Sequence, residues 1–132
     1  MSTDIQDVVD NLKFSEIKPS NIHGYGLFAT ELIAINTLLG TLDGQEIPES
    51  LHHKYDLTLE WNAIAEGVLL VRPYRTKYSY INHQRSPNLV IVSSPLRIKA
   101  LRTINAGEEL TLDYRKESLS KAYIESKGYL YL

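Results

Sequence analysis

Short apolar runs, broken every few positions by Gly, Pro, Asn or Ser, set the pattern of this chain. Such runs predict strands rather than helices. They fall at residues 27–29, 37–42, 57–61, 68–71, 89–93, 98–101 and 110–112. Three stretches read as short helices. Residues 48–55 qualify because Pro48 is tolerated in a first turn and Glu49 suits the positive end of a helix dipole. Residues 74–80 form the second. Residues 117–127 form the third, with Gly128 as its C-cap. The first dozen residues, with Asp4, Asp7 and Asp10 between small apolar residues, read equally as a short helix or a tail. The expectation is a mostly β fold with short helices, and 132 residues suffice for one core.

Composition narrows the class. With 43% hydrophobic and 23% charged residues the chain has the make-up of an ordinary globular domain. A net charge of -2 supplies no general attraction to phosphate backbones, so nucleic acid is not an expected partner. The chain has no cysteine, which excludes disulfides and thiolate zinc sites. The start, MSTDIQDVVDNLKF, lacks a secretory pattern, and runs as short as 68–71 cannot span a bilayer. A cytoplasmic protein away from membranes is the expectation, with nuclear or host-delivered settings left open. His23, His52, His53 and His83 make no metal-ligand spacing. Asp43, Glu46 and Glu49 form an acidic group that reads as a solvated loop or as steering for a basic peptide.

Gly24 and Gly26 flank Tyr25 just before Leu27 and Phe28. Two glycines let a turn take positive φ and let another group approach the backbone. That group is either a ligand or a neighbouring strand. The run also fits G-x-G-x-x-A, the dinucleotide fingerprint, but that motif needs a strand before it and a helix after it. Pro19, Ser20 and Asn21 break the approach, and Asn36 and Thr37 weaken a helical exit.

Two further segments carry chemistry: INHQRSPN, residues 81–88, and GEELTLDY, residues 107–114. On its own, Asn82 is either a turn-capping residue or a donor and acceptor suited to a zwitterion. His83 reads as an internally paired histidine or a site residue, and Tyr114 as a strand-end aromatic or a positioned phenol.

In this order, the glycine turn, INHQRSPN and GEELTLDY resemble the SET-domain protein lysine methyltransferases, in a compact single-domain form of bacterial or viral type. Asn82, His83, Pro87 and Asn88 agree with that family's N-H-S-C-x-P-N, while Gln84 and Arg85 replace its Ser and Cys. The resemblance implies a β-clip-like fold with a C-terminal pseudoknot crossing, residues 13–116 being the domain, 1–12 a tail or short helix, and 117–132 a tail or lid. It also implies S-adenosyl-L-methionine as cofactor, held by Gly24, Tyr25, Gly26, Asn82 and His83. Tyr114 would be catalytic, and Tyr55, Tyr80 and Leu112 would line a channel for a lysine of a protein or peptide substrate. Leu112, where relatives often carry Phe or Tyr, implies room for more than one methyl group unless Tyr55, Tyr78 or Tyr80 fills it. Relatives often close the channel with a cysteine-bound zinc module; here Tyr123, Tyr129 and Tyr131 are candidates for an aromatic lid, or the tail is a helix packed on the sheet. A homodimer fits the small size. The alternative function is a catalytically weak or inactive domain that binds cofactor or peptide.

Overall fold

The computed structural model describes residues 8–55, 59–93 and 95–132, the side chains of 53–55 and 122 excepted. In chain order the strands are β1 (Ser15–Pro19), β2 (Tyr25–Ala29), β3 (Leu38–Thr41), β4 (Gln45–Pro48), β5 (Glu60–Ala65), β6 (Val68–Arg72), β7 (Asn82–His83), β8 (Leu89–Val92), β9 (Arg97–Ala100) and β10 (Glu109–Leu112). Helix α1 (Glu49–Tyr55) follows β4, and α2 (Lys121–Ser126) follows β10. They form three small sheets, ordered β1-β2-β10-β7, β3-β9-β8 and β4-β6-β5. All pairings are antiparallel except β10 with β7, which run parallel. The mostly β fold is as expected.

The strands that the apolar pattern does not predict share one property. β1, β4 and β7 all lie at sheet edges. An edge strand buries little, so its sequence needs no apolar run, and it tolerates proline. Accordingly Pro19 and Pro48 each close an edge strand. β5 begins at Glu60, later than expected, and carries Asn62 into the interior because the Arg72 guanidinium bonds its amide oxygen at 3.1 Å. Residues 57 and 58, part of that expected strand, lie outside the described residues.

Both later helices are shorter than expected, for reasons of capping. The expected helix 74–80 is a 3₁₀ turn, Lys77–Tyr80, which the Thr76 side chain starts by accepting from the Tyr78 N–H. The expected helix 117–127 is reduced to α2, whose start is fixed by the Ser120 hydroxyl accepting from the Tyr123 N–H. Gly128 does not cap it in the left-handed region but opens a second 3₁₀ turn, Gly128–Leu130. At the other end Val9 bridges to Thr76 and Leu12 is fully buried.

Leu27, Leu39, Ile81, Leu89, Ile98 and Leu110 form the centre of the main core, all at most 1% exposed. Each is worth about 1.5–3 kcal/mol of burial. A smaller cluster of Ile47, Leu69 and Val71 lies under Trp61 and Leu119. The hinge between the two ends of the chain is Asn88, which is 2% exposed. Its side-chain amide donates to the Glu109 carbonyl at 2.8 Å and accepts from the Thr111 N–H at 2.8 Å, standing in for a strand partner of β10.

Asn88→Ala would orphan both backbone groups inside the protein, and the expected loss is about 2–4 kcal/mol of unfolding free energy. Urea denaturation of the variant against the parent chain measures it; a loss below about 1 kcal/mol would mean that water replaces the amide.

Candidate active site

The parallel pairing sets Thr111 opposite Asn82 and Leu112 opposite His83. Two residues past the end of that ladder, after Asp113, the chain turns at Tyr114. Its backbone N–H donates to His83 Nδ1 at 3.0 Å, and its hydroxyl donates to the Ile81 carbonyl. Both ends of Tyr114 are therefore tied to the same three residues, 81–83. The rings of His83 and Tyr114 lie 5.3 Å apart. Burial drives the Tyr114 hydroxyl well above the ordinary phenol range, so it stays protonated and acts as a donor whose oxygen lone pairs are left for another group.

His83 is neutral by the same geometry, because an Nδ1 that accepts a hydrogen bond carries no proton. Burial lowers its pKa, against the pull of the nearby Asp113 carboxylate. Asp113 is held ionised, at about 2, chiefly by its hydrogen bond with the Arg115 side chain, at 2.7 Å from Nη2. Its other oxygen accepts from the Arg115 N–H and caps the 3₁₀ turn Tyr114–Lys116.

On the far side of Asn82 is the glycine turn. The Asn82 side-chain nitrogen donates to the His23 carbonyl at 3.1 Å and to Glu109 at 2.8 Å. Ser20 donates to the same Glu109 carboxylate at 2.8 Å and bonds the Gly24 carbonyl through its own N–H. At Gly26 a Cβ would meet the Glu109 carboxylate, which would have to leave its bonds with Ser20 and Asn82 to make room. Gly24, at φ +48°, takes the left-handed conformation, and nothing lies within 4 Å of where its Cβ would stand. After Gly26 the chain continues as a strand, which removes the dinucleotide reading because that motif leads into a helix.

Behind Tyr114 opens a cleft of about 620 Å³, with Trp61, Tyr74, Tyr78, Tyr114, Tyr123 and Tyr131 among its walls. Tyr78 donates its hydroxyl to Glu117 at 2.8 Å, and the Arg72 guanidinium lies 5.4 Å from its ring centre. Arg72 is itself fixed, by Glu60 at 2.5 Å and the Asp43 carbonyl at 2.8 Å. The tail covers one side. Tyr131 stands edge-on to both His83 and Tyr114, at 6.2 and 6.1 Å between centres, and its hydroxyl bonds that of Tyr123. Arg85 donates to the Leu132 carbonyl at 2.6 Å, and Ser120 donates to Glu49 at 2.7 Å. Glu49 thus anchors α2 as well as belonging to the acidic group.

Gly24, Tyr25, Gly26, Asn82, His83 and Tyr114 come together as one region. Tyr25 is half exposed beside it. Leu112 is 3% exposed and sits in the main core, and Tyr80 packs against that core; neither is on the cleft wall. Leu112 has its side chain on the core face of β10 with Leu110, while Tyr78 shares the cleft wall with Tyr114. The side chain of Tyr55 lies outside the described residues. Sequence reasoning passed over Ser20, Glu109, Glu117 and Trp61. Glu109 alone had a signal, its place within GEELTLDY.

A family model described as SET domain matches residues 24–115. The match spans the glycine turn, INHQRSPN and Tyr114, and it covers more than half of the chain. The chain belongs to the SET-domain family, whose members are in general protein lysine methyltransferases.

Two outcomes follow from this geometry. Nitrogen-15 spectra should show His83 as the Nε2–H tautomer, titrating below the ordinary value of about 6.5. Because its folded pKa is lowered, its contribution to stability is complete above about pH 6.5 and declines as the pH falls from there toward the folded pKa. Arg85→Ala should speed amide exchange at residues 128–132 by about 3- to 10-fold, the worth of an exposed hydrogen bond, with the exchange of β10 unchanged.

Proposed function

We propose that this chain transfers a methyl group from S-adenosyl-L-methionine to the ε-amine of a lysine in a protein substrate. The observation that carries the reading is Tyr114, held at both ends by residues 81–83 on the wall of an aromatic cleft, with the glycine turn on the opposite side of Asn82.

The residues present suit the cofactor. The turn at Gly24 faces open space, and the His23 and Tyr25 carbonyls beside the Asn82 amide are acceptors for an ammonium. Asn82 has its nitrogen committed to that turn and Glu109, which presents its oxygen as a further acceptor. When bound, S-adenosyl-L-methionine supplies an electrophilic methyl on a sulfonium. The Tyr114 oxygen, with its proton committed to Ile81, offers lone pairs to positive charge there and orients without becoming a base. His83 keeps the Tyr114 backbone in place, and the cleft rings exclude water around an extended amine chain. Tyr131, bonded to Tyr123 and close to Tyr114, closes the cleft where relatives use zinc-bound cysteines, and Arg85 fastens the segment that carries it.

Tyr114→Phe should cut the rate of tritiated-methyl incorporation into a lysine-centred peptide library by about 10²-fold or more, with the cofactor Kd within about 3-fold by calorimetry. Asn82→Ala should instead weaken cofactor binding by about 10-fold or more. Cofactor binding with no labelled product in the parent chain would make this a binding module.

A further inference from the structure

An exposed lysine titrates near 10.4 and is protonated at neutral pH, while only a neutral amine can accept a methyl group. Tyr114 is no candidate for removing that proton, because its own hydroxyl is committed to Ile81. Glu117 stands on the same cleft wall. Its backbone N–H bonds the Tyr114 carbonyl at 3.1 Å, so its position is set from Tyr114. Its Oε1 accepts from Tyr78 at 2.8 Å, and among the described residues no donor reaches Oε2. The other nearby acids are spent. Glu60 is bound by Arg72, Thr76 and Ser79, and Asp113 by Arg115.

We propose that Glu117 is the base that takes the proton from the ammonium of the lysine entering this cleft, and is therefore a catalytic residue. The proposal rests on the methyltransferase reading above. In the step an N–H bond of the ammonium breaks and an O–H bond forms at Glu117 Oε2, leaving the nitrogen its lone pair. The proton then passes from Oε2 to water at the cleft mouth, which restores the carboxylate.

The surroundings suit that exchange. Burial raises the Glu117 carboxyl, the Tyr78 hydroxyl partly offsets this, and the charge of Asp113 adds to it, leaving it at about 7. Burial acts on an ammonium in the opposite direction, so the two acids approach each other inside the cleft. The titratable and charged groups around Glu117 are Tyr78 on the 3₁₀ turn, Glu60 and Arg72 on the β5–β6 pair, Arg75 after β6, Asp113 and Tyr114 after β10, and Tyr123 and Tyr131 on the tail. Arg72 is neutralised by Glu60. Arg75 shares the wall, but among the described residues no cation is paired with Glu117, and the entering ammonium is its natural partner.

Glu117→Gln keeps the volume and an oxygen for the Tyr78 hydroxyl, so the fold is retained, as circular dichroism will check. With the fastest-labelled peptide from a lysine-centred library, kcat at about pH 7.5 should fall about 10²-fold. The parent chain's log kcat should level off above about pH 7, while the variant's keeps rising as solvent removes the proton. A peptide with S-aminoethylcysteine in place of lysine, whose amine is more acidic, should restore much of the loss. Independently of turnover, the carbon-13 signal of the Glu117 carboxyl should titrate near 7, with a midpoint lowered by n-butylammonium. A Gln variant with the parent rate and pH profile, or a carboxyl indifferent to n-butylammonium, overturns the role of Glu117 and leaves the methyltransferase reading intact. A parent chain that labels no peptide overturns both.

Discussion

Everything at the site depends on the parallel contact between two short strands far apart in sequence, β7 and β10. Two paired positions give little stability of their own, and parallel ladders are weaker per residue than antiparallel ones. The contact persists because both its flanks are fastened. On one side Asn88 supplies a side-chain amide to the backbone of Glu109 and Thr111. On the other, Tyr114 grips Ile81 and His83. A one-residue slip would exchange the faces of the strand and send Leu110 and Leu112 out of the core, so register is protected by burial as well. The same register puts Asn82 against the glycine turn and Tyr114 against the cleft.

The polar groups around this contact divide by charge state. Toward the glycine turn, oxygens prevail, from Ser20, Glu109 and the His23 carbonyl, around one amide nitrogen. Toward the cleft, burial favours neutral forms. His83 is lowered, while Tyr78 and Tyr114 are raised, and Glu117 is held near the middle of the pH range. Asp113 lies between the two and stays ionised through Arg115. A region rich in acceptors and a region rich in neutral phenols therefore meet at residues 82, 83 and 114, which is the arrangement a cationic donor and an amine acceptor would need on two sides of one tyrosine.

Much of this was legible in the chain, and what was not has identifiable physical causes. Interior strands such as β6, β9 and β10 announce themselves by apolar runs, because a strand covered on its faces can hold little else. Edge strands β1, β4 and β7 do not, since half of their hydrogen-bonding capacity faces solvent and their side chains are free to be polar. Helix lengths were overstated because helix-forming residues say less than a single cap, as Ser120 and Thr76 show. At the site, Asn82, His83 and Tyr114 were readable as motif positions. Leu112 lies in the core on β10 and Tyr80 packs against it from the turn before β7, placements that the motif positions do not announce. Glu117 was invisible, since its environment is assembled from Tyr78, Asp113 and the tail, which only the folded chain brings together.

The tail is fastened differently from the strand it covers. β10 lies between two strands with its leucines in the core, whereas residues 128–132 are held by the Arg85 bond to Leu132, the bond between the Tyr131 and Tyr123 hydroxyls and a few ring edges. Contacts of those kinds sum to about 2–4 kcal/mol, a fraction of the roughly 5–15 kcal/mol that holds a whole domain together. Loss of the tail's contacts would therefore leave the sheets folded. Residues such as Arg85, which stand away from the Tyr114 hydroxyl, therefore bear on one wall of the cleft through the segment they fasten.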